Sequence, residues 1–414
     1  MTDGALPGLR IIDLCWVMAG PQATRILADF GAEVIKVESR ARPDPGRVVF
    51  GPWVGEPGID NNGYFNNFNR NKRSISLNMS HPEGREIFGR LVAISDGVVE
   101  NYSASVMRNW GFDYEGLCRH RPDIVYVSMA GLGHSGPYEA YQTFGPTVQA
   151  LSGLTHLSGS PDMQPAGWGY SYMDHTGGYM AAIAMLTALF HRRRTGRGQY
   201  IDLAQVEAAI TLTGTAILDY TVNARSSERH GNRAAYLPMA PHGVYRCAPA
   251  DDDGVGDDDW LAIAVEDDAQ WRSLARAIGR PDMLEDPRFA SLDARLAHHD
   301  DLDAAIGAWT RPRPAKDAMQ ALQAAGVPAG RVQRSRELYD DDPQLAHRGL
   351  FPKVDHPVVG EHRVDGMPAQ FSRTPASFRQ GGPLLGDSNA YVFGELLGIA
   401  EDERAHLEEA QVLW

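Results

Sequence analysis

The first forty residues contain the pattern that most constrains the fold. Residues 9–14 (Leu-Arg-Ile-Ile-Asp-Leu) and 33–38 (Glu-Val-Ile-Lys-Val-Glu) are typical of strands. Between them lie a turn over 17–21 and a segment with helical spacing from Gln22 to Phe30, which ends at Gly31. A strand, a helix and a second strand at this spacing predict a βαβ unit. Such a unit is the building block of a parallel sheet with helices on both faces.

The same alternation continues along the chain. Strand patterns recur at 72–77, 97–101 and 123–128. Pro82 opens a helix after the first of these, at a position where the missing N–H costs nothing. Residues 1–205 are therefore predicted to form a large, open, Rossmann-like α/β domain. A helical stretch from Leu203 to Ala224 predicts a linker over 206–227.

The rest of the chain predicts a smaller α+β domain over 228–325. Its acidic run at 251–259 is expected to be a hairpin tip, and a strand and several helical patterns follow. A second linker is expected at 326–349. Residues 350–414 are expected to return to the large domain, with strand-like pieces at 349–351 and 364–367 and a charged helix at the end.

Composition excludes several classes of protein. The formal net charge of −14 argues against a nucleic-acid-binding protein, which needs a basic surface. The three cysteines are odd in number and far apart, so we predict neither disulfides nor a metal site and expect a cytoplasmic location. No signal-peptide pattern is present, and no apolar run is long enough to span a bilayer.

The strongest candidate for chemistry lies at 169–179, where an aromatic stretch leads to Asp174 and then to Gly177 and Gly178. An apolar helix pattern follows and ends at Gly196. A carboxylate at the start of that helix would meet the positive end of the helix dipole, stay ionised and be able to act as a nucleophile. An acid before an apolar helix is equally typical of an N-cap, so these residues alone leave both interpretations open.

Two further motifs allow more than one interpretation. Residues 131–136 match G-x-G-x-x-G, but Pro137 follows where a helix should continue and no acid lies at the required distance. These departures disfavour a nicotinamide cofactor. Residues 66–73 combine amides, an aromatic ring and three cations. That run is typical of a solvated turn, and it could also bind a phosphate or an adenine ring.

Several segments together resemble the class III CoA-transferases, a family that includes formyl-CoA and carnitine CoA-transferases and acyl-CoA racemases. The segments that carry the resemblance occur in order along nearly the whole chain, at 13–14, 17–21, 31–38, 71–75, 99–102, 150–154, 195–199 and 383–386. The resemblance implies CoA-ester chemistry without a metal, in which coenzyme A enters as an acyl-CoA substrate. It also implies a homodimer of two interlocked, ring-like chains.

The resemblance places the family's nucleophile at Asp174. It implies a mixed aspartyl anhydride and then an aspartyl-CoA thioester, with succinyl-CoA as a reasonable donor and a free carboxylic acid as acceptor. The backbone amides of Gly177 and Gly178 are expected to stabilise the oxyanions. The implied CoA pocket consists of Val17, Met18, Ala19, Arg40, Arg42, Asn71, Lys72, Arg73, Asn101, Tyr102 and Arg108.

Departures from the family pattern disfavour some of the activities that the family includes. The racemase histidine position holds Phe144, which cannot accept a proton, and this disfavours an α-methylacyl-CoA racemase or isomerase. Ala130 replaces a lysine of the formyl-CoA transferases, and their multi-glycine lid is not evident, which disfavours oxalate as acceptor. Four aromatic residues lie close to Asp174 in sequence and are called the aromatic wall here: Trp168, Tyr170, Tyr172 and His175. This wall suggests that the acceptor is a bulkier or aromatic acid. The alternative from another class is a protein that binds CoA esters without turnover.

Overall fold

The computed structural model describes residues 4–249 and 259–414, which divide into two compact units. The first unit contains residues 4–155, 167–227 and 344–414, and the second contains 156–166 and the described part of 228–343. The acidic hairpin tip expected at 251–259 lies outside the described residues, apart from Asp259. Residues 206–227, expected as a linker, belong to the first unit, and residues 326–343 of the second expected linker belong to the second unit.

The described residues contain both strands and α-helices, which are numbered separately in chain order. The strands are β1 (Arg10–Leu14), β2 (Glu33–Glu38), β3 (Arg73–Ser76), β4 (Gly97–Glu100), β5 (Val125–Ala130), β6 (Gln199–Ala204), β7 (His242–Cys247), β8 (Asp259–Ala264), β9 (Ala329–Arg331), β10 (Lys353–Val354) and β11 (His362–Arg363). The helices are α1 (Ala19–Asp29), α2 (Pro45–Val48), α3 (Gly63–Asn69), α4 (Pro82–Ala93), α5 (Val106–Trp110), α6 (Tyr114–His120), α7 (Gly145–Leu151), α8 (Leu154–Leu157), α9 (Tyr172–Thr195), α10 (Gln205–Ile210), α11 (Gly214–Asn223), α12 (Asp268–Ala277), α13 (Leu292–Ala297), α14 (His299–Thr310), α15 (Ala315–Ala324), α16 (Pro343–Arg348) and α17 (Glu401–Glu409).

The first unit is built on a parallel sheet, as the βαβ pattern predicts. Six strands pair in the order β3-β2-β1-β4-β5-β6, and every neighbouring pair is parallel. Strands β2 and β3 lie on one side of β1, and β4, β5 and β6 lie on the other side. The strand order therefore reverses between β1 and β4, which makes this position the switch point of the sheet. In open α/β sheets, ligands bind beyond the carboxyl ends of the strands at such a switch point.

Helices cover both faces of this sheet because alternate strand residues point to opposite sides. On one face Ile12, Ile35 and Val98 pack with residues of α4, α6 and α17. On the other face, residues such as Ile11 and Val127 pack with the apolar stripes of α1 and α9. The pair α1 and α9 forms the layer that carries the candidate nucleophile.

The second unit has its own sheet and core. Strands β7, β8 and β9 form an antiparallel sheet, and one face of it packs against α12, α14 and α15. Strand β9 extends this unit beyond the predicted boundary at 325, because Ala329 pairs with Ile263 of β8.

Three local predictions differ from the structure. Helix α1 begins at Ala19 rather than Gln22, because Pro21 fits the first turn of a helix. The helix expected from Leu203 to Ala224 starts later, because β6 pairs with β5 up to Ala204, and it is divided into α10, a 3₁₀ turn and α11. The strand-like pieces expected at 349–351 and 364–367 are irregular, and the short strands β10 and β11 lie between them. Among the described helices, none is both long and apolar enough to cross a bilayer.

Candidate active site

Asp174 lies in the first turn of α9 and does not occupy its N-cap. The helix begins at Tyr172, the N-cap position is Ser171, and the amide of Asp174 donates to the Ser171 carbonyl at 3.0 Å. The carboxylate accepts a long hydrogen bond from Gln205, with 3.5 Å between Nε2 of Gln205 and Oδ1 of Asp174. The N-cap interpretation is therefore not what the structure shows, and the side chain is available for other interactions.

Burial controls the electrostatics of this carboxyl group. Desolvation raises the pKa of Asp174 from 3.8 to about 6, and hydrogen bonds from Ser171 and Gln205 oppose that rise only in part. None of the ion pairs in the described part of the chain involves Asp174. A carboxylate with a pKa near 6 is still mostly ionised at neutral pH and is more basic than an ordinary aspartate. These are suitable properties for a nucleophile.

Close packing surrounds Asp174 and depends on glycines. A Cβ added to Gly145, the first residue of α7, would lie 2.8 Å from Oδ2 of Asp174. A Cβ on Gly177 would lie 3.0 Å from Cγ of Gln205, and one on Gly178 would lie 2.7 Å from the Ala19 carbonyl oxygen of α1. Glycine at these positions therefore allows α7, α10 and α1 to pack closely against the first two turns of α9.

The position of Gly177 and Gly178 in α9 favours a packing role over the expected role as oxyanion donors. Both glycines are buried in the second turn of α9, where each amide belongs to the i to i−4 hydrogen-bond ladder of the helix. Their amides are directed along the helix axis rather than at the carboxylate. We therefore assign them a packing role.

The four residues of the predicted aromatic wall form two ring pairs at the start of α9. Trp168 and Tyr172 pack edge to face with ring centroids 5.0 Å apart, and Tyr170 stacks on His175 at 5.4 Å. The Tyr170 hydroxyl and Nε2 of His175 are 2.7 Å apart, and burial is the main cause of a lowered pKa of His175. Three of these side chains are exposed, His175 is partly buried, and all four lie close to Asp174 in sequence.

The loop after β1, at the switch point of the sheet, is held in a strained conformation. Val17 has φ = 65°, a left-handed value that is costly for a β-branched residue. Asp44 accepts from the Val17 amide at 2.8 Å, and Asn101 bonds both backbone polar groups of Trp16, at 2.8 and 3.0 Å. The structure therefore brings two predicted pocket residues, Val17 and Asn101, together in a preorganised loop.

Other predicted pocket residues lie around the same loop. Met18 and Ala19 are buried at its end, and the Tyr102 ring packs edge to face on Trp16 at 5.1 Å. The Arg42 guanidinium lies 5.1 Å from the centre of the Trp16 ring. The three predicted arginines all have exposed side chains, and they are Arg40, Arg42 and Arg108.

The side chains of Asn71, Lys72 and Arg73 make contacts within the protein. Lys72 is fully buried, and its ammonium donates to Asp13 at 2.8 Å, to Asn69 at 2.8 Å and to the Pro21 carbonyl at 3.1 Å. All three of its donors are therefore used inside the protein. Lys72 and its neighbours were predicted to bind CoA, and these internal contacts favour a structural role for Lys72 instead.

The two neighbours of Lys72 also have structural roles. The Asn71 side chain is buried and donates to Asp29 at 2.7 Å and to the Ser377 carbonyl at 2.8 Å. Arg73 pairs with Glu33 at 3.1 Å and lies over the Tyr391 ring at 4.2 Å. The contacts of Asn71 with Ser377 and of Arg73 with Tyr391 connect the N-terminal region to the C-terminal segment, which favours a structural role for both residues.

Sequence reasoning missed several residues of this site, which are Asp44, Tyr64, Gly145, Ser171 and Gln205. The charge of Asp174 contributes, after burial, to a raised pKa of Tyr64, which places the phenol near the carboxylate. Gln205 is the first residue after β6, so a prediction of that strand would have pointed to it. Among the described residues, no cluster of three or more potential metal ligands occurs.

Comparison with known proteins identifies the family. Residues 6–389 match the model of CoA-transferase family III. The chain belongs to this family. It is 34% identical over 419 residues to succinyl-CoA–D-citramalate CoA-transferase of Chloroflexus aurantiacus, covering 99% of this chain and 98% of that one. It is 33% identical to succinate–glutarate CoA-transferase of Agrobacterium fabrum, covering 94% and 95%.

A solved structure of a CAIB/BAIF family protein from Brucella suis has the same fold. Its TM-score is 0.86 at 32% identity, and the match covers 95% of this chain and 99% of that chain. The family resemblance seen in the sequence is therefore confirmed, and the protein is a CoA-transferase.

Proposed function

We propose that the enzyme transfers CoA from an acyl-CoA donor to a free carboxylic acid, with Asp174 as covalent nucleophile. The observation that supports this most is the state of the Asp174 carboxyl group. It is partly buried, it has no cationic partner among the described residues, and burial raises its pKa to about 6. The family provides the CoA-ester chemistry, and this carboxylate provides a nucleophile that is ionised at neutral pH.

The proposed mechanism conserves thioester energy through two covalent intermediates. Asp174 attacks the thioester carbonyl of the donor, the C–S bond breaks, and a mixed anhydride and CoA thiolate form. The thiolate then attacks the aspartyl carbon, which releases the donor acid as its carboxylate and leaves an aspartyl-CoA thioester. The acceptor carboxylate reverses the two steps and leaves as the new CoA ester. Exclusion of water protects both intermediates from hydrolysis.

We propose that CoA binds at the switch point of the sheet. The loop from Trp16 to Ala19 follows the carboxyl end of β1. It is held by hydrogen bonds to Asn101, which directly follows β4, and to Asp44. Exposed arginines near such a crevice can bind phosphates by charge-assisted hydrogen bonds, and the candidates are Arg40, Arg42 and Arg108. This smaller set replaces the eleven-residue pocket implied by the resemblance.

The donor and acceptor are proposed from the relatives. Succinate or succinyl-CoA appears in the names of both the Chloroflexus and the Agrobacterium enzyme, which supports succinyl-CoA as donor. Those names also include D-citramalate and glutarate, so dicarboxylic acids are the first acceptors to test. The aromatic wall around His175 supports an acceptor with an apolar body, and it extends the panel to aromatic acids.

We propose that the enzyme is a cytoplasmic homodimer. Helix α9 is apolar on both sides, and Phe190 on its outer side is 63% exposed. Helix α11 buries none of its residues, although it contains Leu218 and Val222, and Val222 is 76% exposed. Exposed apolar surface of this extent is typical of a protein interface. Sedimentation velocity should give twice the chain mass, and a monomer would contradict this proposal.

Intact mass spectrometry after brief incubation with succinyl-CoA tests the catalytic proposal. We expect a covalent adduct on the peptide that contains Asp174. It should be absent from Asp174→Ala and present in the control Glu207→Ala, which changes an exposed carboxylate on α10. A panel of other acyl-CoAs identifies the donor. If no thioester labels the wild-type enzyme, the nucleophile is not Asp174.

A racemase or isomerase is the second candidate, because the racemases belong to the same family. Phe144 immediately precedes Gly145, which contacts Asp174, so the position expected for a racemase base is close to the carboxylate. A phenylalanine there cannot move a proton. Exchange of an α-proton of an acyl-CoA into deuterated solvent, without any protein adduct, would favour this candidate over CoA transfer.

A further inference from the structure

Gln205 has a fixed position beside the nucleophile. It is the first residue of α10 and directly follows β6, so it lies at the carboxyl edge of the sheet. The next amide, that of Val206, donates to the Gly131 carbonyl at 2.9 Å, which connects the start of α10 to the loop after β5. The side chain is 7% exposed. Few alternative orientations are therefore open to the Gln205 amide.

The neighbouring glycine directs this amide to Asp174. A Cβ on Gly177 would lie 3.0 Å from Cγ and 3.4 Å from Nε2 of Gln205, so glycine leaves the space that the glutamine occupies. Its Nε2 donates to Oδ1 of Asp174 at 3.5 Å. Hydrogen bonds to catalytic groups are often long before substrate binds and shorten in the reacting complex. The other oxygen, Oδ2, faces Gly145 and Ser171 instead.

We propose that the side-chain amide of Gln205 is an oxyanion donor of this enzyme, which binds Oδ1 of Asp174 when the CoA thiolate attacks the aspartyl carbon. This inference rests on the proposed covalent mechanism. In the anhydride, Oδ2 carries the acyl group and Oδ1 is the carbonyl oxygen. Attack of sulfur forms a C–S bond and moves an electron pair onto Oδ1. When that pair returns, the bond between Cγ and Oδ2 breaks, and Oδ2 leaves in the released carboxylate.

The geometry of the site supports a side-chain donor for this step. The amides of Gly177 and Gly178 belong to the second turn of α9 and are engaged in its hydrogen-bond ladder. The Gln205 Nε2 group, in contrast, is directed at the oxygen on which negative charge develops. A preorganised donor at such a position typically contributes a factor of about 100 to 1,000 in kcat.

Two substitutions of Gln205 separate donation from packing. Gln205→Met keeps the length of the side chain without a donor, and Gln205→Leu keeps a side chain of similar volume without a donor. We expect both to lower kcat about 100-fold, with KM for the donor within about twofold and melting temperatures near that of wild type. If Gln205 acted only through packing, Gln205→Met would retain most of the activity. The exposed neighbour Glu207→Gln is the matched control and should leave kcat unchanged.

The ratio of hydrolysis to transfer gives a second readout that packing alone would not change. Slower attack on the aspartyl carbon leaves the anhydride exposed to water for longer, so both variants should hydrolyse a larger fraction of the donor. A kcat within threefold of wild type and an unchanged hydrolysis ratio would overturn the inference. If the wild-type enzyme forms the Asp174 adduct in that case, only the role of Gln205 is lost. If it forms no adduct, the proposed covalent mechanism itself fails.

Discussion

Replacement of Asp174, the proposed nucleophile, should make the protein more stable at neutral pH, and the size of the effect follows from its pKa. Asp174 titrates at 3.8 in an unfolded chain and at about 6 in the folded protein. Between these values the folded protein holds the proton more tightly, so stability is lost as the pH rises through this window and stays lost above it. Ionisation of Asp174 therefore costs the fold about 3 kcal/mol at pH 7.5 and about 1.5 kcal/mol at pH 5.

Asp174→Asn removes this cost because an amide has a similar shape and no charge. We expect the variant to be inactive and to melt about 3 °C above wild type at pH 7.5, with about half that gain at pH 5. The control Asp402→Asn changes an exposed aspartate in the first turn of α17 and should alter stability by less than about 0.5 kcal/mol. Thermal melting at both pH values measures the difference. An equal gain at the two pH values, or no gain, would refute the argument from burial.

Three further predictions test the site and its surroundings. The value of kcat/KM should fall about tenfold per pH unit below pH 6, because attack needs the ionised form of Asp174; a pH–rate profile that is flat down to pH 5 would contradict this. Lys72→Met should lower the free energy of unfolding by about 3–5 kcal/mol because Asp13 is left buried without its cation, whereas the more exposed Arg73→Met should cost less than about 1 kcal/mol. Urea denaturation measures the loss in free energy of unfolding for each variant. Equal losses would show that the buried ion pair between Lys72 and Asp13 stabilises the fold no more than the exposed pair between Arg73 and Glu33. Gly145→Ala should reduce kcat at least tenfold at an unchanged melting temperature, since its Cβ would lie 2.8 Å from Oδ2 of Asp174; wild-type kcat in this variant would show that the carboxylate can move aside.

The central part of the fold was predictable because buried parallel strands leave a strong signal in sequence. Strands β1 and β2 and the helix between them follow from apolar runs and helical spacing. The edge strand β6 was missed because its residues alternate between partly buried and exposed, and its last residues resemble the start of a helix. That one omission also concealed Gln205, because a residue at the end of a parallel strand becomes a candidate only when the strand is recognised.

Within the site, local signals in the sequence carried more information than long-range ones. Asp174 became a candidate because it lies between an aromatic stretch and an apolar helix. The cations of the 66–73 segment could not be assigned correctly, because their partners are distant in sequence. Asp13 pairs with Lys72 across 59 positions, and Asp29 bonds Asn71 across 42. A cation that will be neutralised inside the fold has the same appearance in sequence as one that will bind a phosphate.

The partners of buried carboxylates distinguish structural acids from the nucleophile. The positive charges of Lys72 and Lys36 overcome burial at Asp13 and lower its pKa to about 2, and Arg47 likewise lowers the pKa of Glu38. Glu100 has a pKa raised to about 7 by burial, but Ser128, Tyr126 and the Tyr102 amide occupy its oxygens. Asp174 combines a raised pKa with hydrogen bonds from Ser171 and Gln205 that offset its burial only in part, and its Oδ2 faces a glycine. A cation beside it would lower its pKa and its nucleophilicity together, so the absence of an ion pair at Asp174, within the described residues, is itself an argument for its catalytic role.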